Sequence, residues 1–339
     1  MPAGDVTGPD LPTSRRRILA AAALLLSGAA WPARAQAAPR RVGVILAYAE
    51  TDPEAQDRVA ALLQSLPENG LQPGRNILLD VRYSASDLAR TEQYVADFIA
   101  APVDLMIVNG TQASTVASRA TRQIPILFVG LANPVGGGFV PNLAHPGGNL
   151  TGFSTFEPEI GGKWFELLRE AVPALRKVGL VTDPVLRGFE DLRDAAAEAA
   201  RKNGVLPVLI EGSTRTEIGQ VLAGPAAADV DGLIVMPAST NGTARDLIIG
   251  WANQRKIPAI YPFSFYGDSG GLLSYGFDSR DLFRRAASYA ARILAGAAPG
   301  TLPVQAPVKY DLTINLATAR AMGLTIPQSL LQRASDIIE

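Results

Sequence analysis

Short apolar runs alternate with helical stretches along most of the chain, and this alternation restricts the fold more than any other feature. Arg41-Val42-Gly43-Val44-Ile45-Leu46 is almost unbroken in its apolar character, as a strand buried on both faces must be. Asp52-Pro53 then opens a helical pattern carried by Ala55, Val59, Leu62, Leu63 and Leu66, which stops at Asn69-Gly70, a usual C-terminal cap. The unit recurs: a strand over 77–83 precedes a helix over 88–100, a strand over 105–108 precedes a helix over 113–121, and a strand over 126–129 follows Pro125. Repeated strand–helix units predict an α/β fold with parallel sheets covered by helices on both faces.

The rhythm breaks once. Residues 130–152 hold Asn133-Pro134, Gly136-Gly137-Gly138, Pro141 and Pro146-Gly147-Gly148, all turn formers. Alternation then restarts, with helices expected over 159–172, 189–203, 216–222, 244–254 and 281–294. Strands are expected over 178–182, 205–211, 232–236, 259–261 and 272–275. Two such runs around a Gly/Pro connector predict two similar lobes, although the sequence contains no repeat between them. The length of 339 residues suits about two domains.

Several chemistries are excluded by residue supply. The chain has no Cys and one His, which removes disulfides, thiolate metal sites, Cys nucleophiles, Cys-borne lipid anchors and nearly all His-based clusters and triads. Neither a cofactor nor a metal is expected. With 31 Lys+Arg against 32 Asp+Glu, there is no electrostatic basis for binding nucleic acid or a charged membrane surface. Gly267-Asp268-Ser269-Gly270-Gly271 reproduces the residues around the nucleophile of trypsin-like proteases. That chemistry needs a base, and the only His is His145, beside Pro146 in a Gly/Pro turn, so Gly270-Gly271 reads as a turn.

Residues 1–35 read as an export leader. Ser14-Arg15-Arg16-Arg17 precedes an Ala/Leu run over 20–30 and then Ala33-Arg34-Ala35, giving a charged region, a short apolar region and a small-x-small cleavage site. Paired arginines point to the twin-arginine route. The expected product is free in the periplasm.

In open α/β sheets, ligands sit beyond the carboxyl ends of the strands. That rule selects Tyr48 and Thr51 after the first strand, and Gly110, Thr111, Gln112, Ala113 and Ser114 after the third, where a helix start can hold a carboxylate or Thr111 can simply cap the helix. After the fourth strand stands Asn133. In the second half, Pro237 and Ser239 follow a strand, and Tyr261, Phe265 and Tyr275 belong to an aromatic-rich stretch that can stack on a flat ligand or pack the core. Asp183, followed by Pro184, is either a ligand group or a turn, and Asp278 joins the candidates near the second expected chain crossing.

Several segments carry a likeness beyond the general pattern: Gly110-Thr111-Gln112-Ala113, Asn133-Pro134-Val135-Gly136, Pro146-Gly147-Gly148-Asn149-Leu150-Thr151-Gly152, Gly270-Gly271-Leu272-Leu273-Ser274-Tyr275-Gly276, and Gly323-Leu324-Thr325-Ile326-Pro327. Over about residues 40–339 the chain resembles the substrate-binding proteins of bacterial ABC transporters, of the tryptophan/tyrosine-binding type with a type-I periplasmic binding fold. The resemblance implies two doubly wound parallel-sheet lobes joined by a multi-segment hinge. Residues 40–152 with about 277–305 would form one lobe and 153–276 the other, with 306–339 unassigned. It further implies capture of a small molecule, favouring an aromatic or branched amino acid, by closure of the inter-lobe cleft, and delivery to an inner-membrane permease by a monomer that is not an enzyme. A sensing receptor and a periplasmic enzyme are the alternatives. The family pattern has Asp where Asn133 stands and Asn where Asp183 stands, which implies either compensation across the cleft or a changed ligand.

Overall fold

A computed structural model describes residues 1, 4, 38–155, 157–185 and 188–339; the expected leader, apart from positions 1 and 4, lies outside the described residues. The body spans Pro39–Glu339. Its first part comprises β1 (Arg40–Leu46), α1 (Pro53–Ser65), β2 (Ile77–Tyr83), α2 (Leu88–Ala100), β3 (Leu105–Asn109), α3 (Gly110–Ala120), β4 (Ile126–Leu131) and β5 (Leu150–Ser154). The five strands pair in the order β2-β1-β3-β4-β5, all parallel.

The second part runs through α4 (Glu159–Ala171), β6 (Lys177–Thr182), α5 (Glu190–Lys202), β7 (Leu206–Glu211), α6 (Arg215–Ala223), α7 (Pro225–Ala228), β8 (Gly232–Val235), α8 (Ser239–Thr243), α9 (Arg245–Gln254), β9 (Ala259–Tyr261), α10 (Phe265–Asp268) and β10 (Leu273–Gly276). It is followed by α11 (Ser279–Leu294), β11 (Asp311–Asn315), α12 (Leu316–Met322), α13 (Gln328–Arg333) and β12 (Asp336–Ile338). The seven strands of this sheet lie in the order β12-β11-β10-β9-β8-β6-β7, and only β10 and β11 are antiparallel.

Two doubly wound sheets therefore stand where the alternation placed them, and the Gly/Pro-rich segment ends in a strand that the residue pattern concealed. β5 contains Gly152, which lowers its strand signal, but a Cβ there would lie 2.0 Å from the Phe128 carbonyl oxygen. Glycine in this strand marks a close backbone approach. The Thr151 hydroxyl donates to the Leu302 carbonyl at 2.6 Å, and the Gln305 N–H donates to the Gly152 carbonyl at 3.0 Å. Helix α11 packs on α1 and along β4 and β5, so residues 279–305 complete the first sheet's covering. The chain then returns, and β11 pairs with β10. Among the described residues it passes between the sheets after Ser154, between Gly276 and Ser279, and between Gln305 and Asp311.

Asp278, at the second passage, is the N-cap of α11. Its carboxylate accepts from the Arg280 N–H at 2.9 Å, the Arg280 Nε at 2.9 Å and an Arg284 Nη at 2.9 Å. Burial pushes this carboxyl up, but the bonds from Arg280 and Arg284 outweigh it and leave it below the usual Asp value. An acid held lower in the folded than in the unfolded chain adds stability above its unfolded pKa, and the gain disappears as pH falls through the folded value. Asp278→Ala should therefore cost about 1 kcal/mol near pH 7, with the difference from wild type vanishing in strong acid. Denaturant melts across pH measure both.

Candidate functional site

The carboxyl ends of both sheets face a shared cleft. β1, β3, β4 and β5 bring Tyr48, Asn109, Gly110, Gly130 and Thr155 to one wall, and β8 and β9 bring Pro237, Ser239 and Phe263 to the other; Phe277 and Ser279 close the side where the chain passes between the sheets. The cavity between them is about 30 Å³, room for one or two waters. The lobes meet closely around it. A Cβ on Gly110 would come 2.9 Å from the Ser239 hydroxyl, and a Cβ on Gly242 would come 2.5 Å from the Tyr48 hydroxyl. Tyr48 also meets the Phe265 ring edge-on, with centroids 6.4 Å apart, and Phe265 stacks on Phe263 at 5.5 Å.

Charge fastens the same face. Asp52, the N-cap of α1, accepts two bonds from Arg245 on the opposite lobe, Nη1 to Oδ2 at 2.7 Å and Nη2 to Oδ1 at 2.8 Å. Both side chains are nearly buried, at 11% and 16% exposure. Burial would lower the Arg245 pKa, but the Asp52 bond more than offsets it, so the guanidinium keeps its charge. This two-pronged geometry is the strong form of an ion pair. Paired only when the lobes meet, it favours the closed arrangement.

Arg58 lies deepest. It projects from α1, is 4% exposed and lines the cavity. Its guanidinium lies 4.4 Å from the centroid of the Tyr48 ring. Nη1 donates to the Asn109 Oδ1 at 3.3 Å and Nη2 to the Glu54 Oε2 at 3.4 Å, both long, and Nε has no partner. Burial pushes the Glu54 carboxyl above its usual value against the opposing pull of Arg58. Sequence reasoning missed Arg58, Asp52 and Arg245 as site residues. The signal for Arg58 was its place on the apolar stripe of α1, three positions after Ala55 and four before Leu62.

Of the residues selected from sequence, Tyr48, Gly110, Pro237 and Ser239 line the cavity, and Phe265 stands behind Phe263. The rest are employed elsewhere. The Thr111 hydroxyl accepts from the Ala132 N–H at 3.2 Å, Ser114 donates to the Gly110 carbonyl at 2.7 Å, and Ala113 is buried in the first lobe's core. Gln112 sits half-buried in α3, and Thr51 is exposed in the turn before α1. Asn133 donates to the Asp191 carboxylate at 2.7 Å, joining the lobes away from the cavity. Asp183 accepts from Ser213 at 2.9 Å, Thr240 at 2.7 Å and the Val185 N–H at 3.0 Å. Its carboxylate thus organises the strand end and turn of the second lobe. Tyr261 stacks on Tyr266 at 4.8 Å inside that lobe, and Tyr275 stacks on Tyr310 at 5.9 Å where the chain passes between sheets. Ser269, in the protease-like pentapeptide, donates to the Phe265 carbonyl at 2.9 Å, and Gly270 has a φ of 94°, a turn conformation.

Comparison with known proteins places these features in context. The sequence profile of the family described as ABC transporter substrate binding protein matches residues 44–338. The chain is 27% identical over 262 residues to a tyrosine-binding protein of Clostridioides difficile (strain R20291), covering 77% of this chain and 75% of that one. Among solved structures, a conserved domain protein from Vibrio cholerae is 28% identical with a TM-score of 0.82, over 88% of this chain and 99% of that one. An ABC domain from Streptococcus pneumonia in complex with L-Trp shares the fold at 22% identity and a TM-score of 0.82, over 89% and 100% of the two chains. The ligand-free, open structure of a substrate binding protein with adhesive properties from Clostridium difficile is 25% identical and covers the same shares, 88% and 99%, but its TM-score is 0.63.

Proposed function

The chain belongs to the family of ABC transporter substrate-binding proteins, and from that premise we propose that it captures an aromatic amino acid for an importer. The observation that carries this reading is a cleft whose two walls come from different lobes and combine aromatic faces, Tyr48 and Phe263, with a buried cation, Arg58. A tyrosine-binding relative supports the ligand class. Because the cavity is about 30 Å³, an amino acid enters only when the lobes separate, and the aromatic walls give way around it. Ligand binding then shifts an open–closed equilibrium through contacts that both lobes share. The closed form is what an inner-membrane permease would take up. The protein works as a monomer in the periplasm, reached through the twin-arginine leader, and performs no chemical conversion.

A thermal-shift titration tests the ligand class. L-tyrosine or L-tryptophan at about 100 times its Kd should add roughly 2.7 kcal/mol of stability, raising the melting temperature by several degrees. A rise with glucose or galactose and none with any amino acid would overturn the reading.

A further inference from the structure

Resting on the amino-acid reading above, we infer that Arg58 is the anion anchor of the cleft, receiving the ligand carboxylate with the Thr155 hydroxyl as its second donor. The argument begins with what a buried guanidinium requires. Five N–H donors withdrawn from water need acceptors, and an uncompensated charge at that depth is strongly unfavourable. Arg58 is 4% exposed, yet its two bonds are 3.3 and 3.4 Å long and its Nε has none. Of its acidic neighbours, Glu54 is itself pushed toward the neutral form by burial, and Asp52 is held by Arg245. Thr155, 5% exposed on the same cavity, likewise has a hydroxyl without a partner. The two residues with unpartnered groups, one cationic and one neutral, both line the cavity.

A purely structural role accounts for less. Tyr48 beneath the guanidinium supplies a cation–π contact and a hydroxyl that interacts with Arg58, yet Nε is left without an acceptor. A Met at this position would pack as well without the cost of burying a charge. A carboxylate removes that cost: it accepts from a guanidinium edge in two-pronged geometry, one of its oxygens can accept a further bond from Thr155, and the flat body of the ligand is directed toward Phe263 and Phe277.

Calorimetry tests this with L-tyrosine and L-tryptophan, each against its primary amide. These differ at the carboxylate and leave the ring and amine in place. Wild type should favour acid over amide by roughly 10- to 100-fold, the usual range for a hydrogen bond to a charged group. Arg58→Met should bring that preference to within about 3-fold while still binding the amide, and Thr155→Val should lose part of it. Should Arg58→Met fail to fold, Arg58→Gln, which is shorter and keeps polarity but no charge, must show the same loss. Equal binding of acid and amide by wild type, or an undiminished preference in a folded Arg58 variant, overturns the anchor and leaves the amino-acid reading intact. Binding of neither acid nor amide by wild type overturns the amino-acid reading and the anchor together.

Discussion

Gly242→Leu should reduce ligand affinity at least 100-fold while leaving the unliganded protein's melting temperature within a few degrees of wild type. Position 242 lies inside α8 on the second lobe, and a Cβ there would stand 2.5 Å from the Tyr48 hydroxyl and 3.1 Å from two of its ring carbons. Ordinary contact needs about 3.5 Å or more. Tyr48 is 3% exposed and covered by the Arg58 guanidinium, so it has nowhere to turn. The three atoms nearest a Cβ at 242 all belong to Tyr48 on the other lobe, which is why the fold should survive and closure should not. A 100-fold loss corresponds to about 2.7 kcal/mol, a plausible share for the second lobe's contacts. Calorimetry gives the affinity, and small-angle scattering shows whether ligand still contracts the protein. Near wild-type affinity in this variant would mean that the ligand is held with the lobes further apart than Tyr48 and Gly242 stand here.

Gly161→Val should be among the most destabilising single changes in the second lobe, lowering its stability by about 3 kcal/mol or more, at the upper end of overpacking costs. α4 and α5 lie against each other at this glycine, and a Cβ would fall 2.0 Å from the Leu192 carbonyl oxygen and 3.1 Å from the Ala196 nitrogen. Both obstacles are backbone, so no side chain can rotate out of the way, and the helices must part across Trp164, Phe165 and Leu168, all buried. The expected fall in melting temperature is roughly 6–12 °C. The neighbouring position supplies the control. At Gly162 the nearest atom to a Cβ is the Ala199 methyl at 3.9 Å, so Gly162→Ala should be neutral or gain up to about 1 kcal/mol from helix propensity. Changes of the same sign and size at the two positions would show that the helices do not meet as described.

The fold class was legible because it rests on a period that the chain repeats many times, and a Gly or Pro at one strand does not erase it. β5 was not legible, since Gly152 serves a contact with Phe128 that lies in a different part of the sequence. β11 and β12 escaped for a related reason: β12 is a three-residue edge strand that pairs only with β11, and β11 joins the sheet by pairing with β10. In the cleft, the rule that ligands sit beyond strand ends selected Tyr48, Gly110, Pro237 and Ser239, because strand direction alone determines where those residues go. It could not select Arg58 or Arg245, which reach the cleft from helices. Nor could it show that Asp183 is engaged by Thr240, 57 positions away. Side-chain partners over such distances are a property of the assembled fold and leave no local pattern.

The three passages between sheets also govern when this chain can fold during its synthesis. The first sheet is finished by residue 154, but its covering helix α11 begins at Ser279, and the Glu54–Ser279 contact joins residues 225 positions apart. A ribosome adding about 5–20 residues per second would leave part of one face of that sheet uncovered for roughly 6–25 seconds. Domains generally fold in order from the N-terminus, yet here the first lobe must wait for the second to be translated and cannot close its core until nearly the whole chain has emerged. That interval leaves the apolar surface of β4 and α1 open to contact with other chains until residues 279–294 have been made.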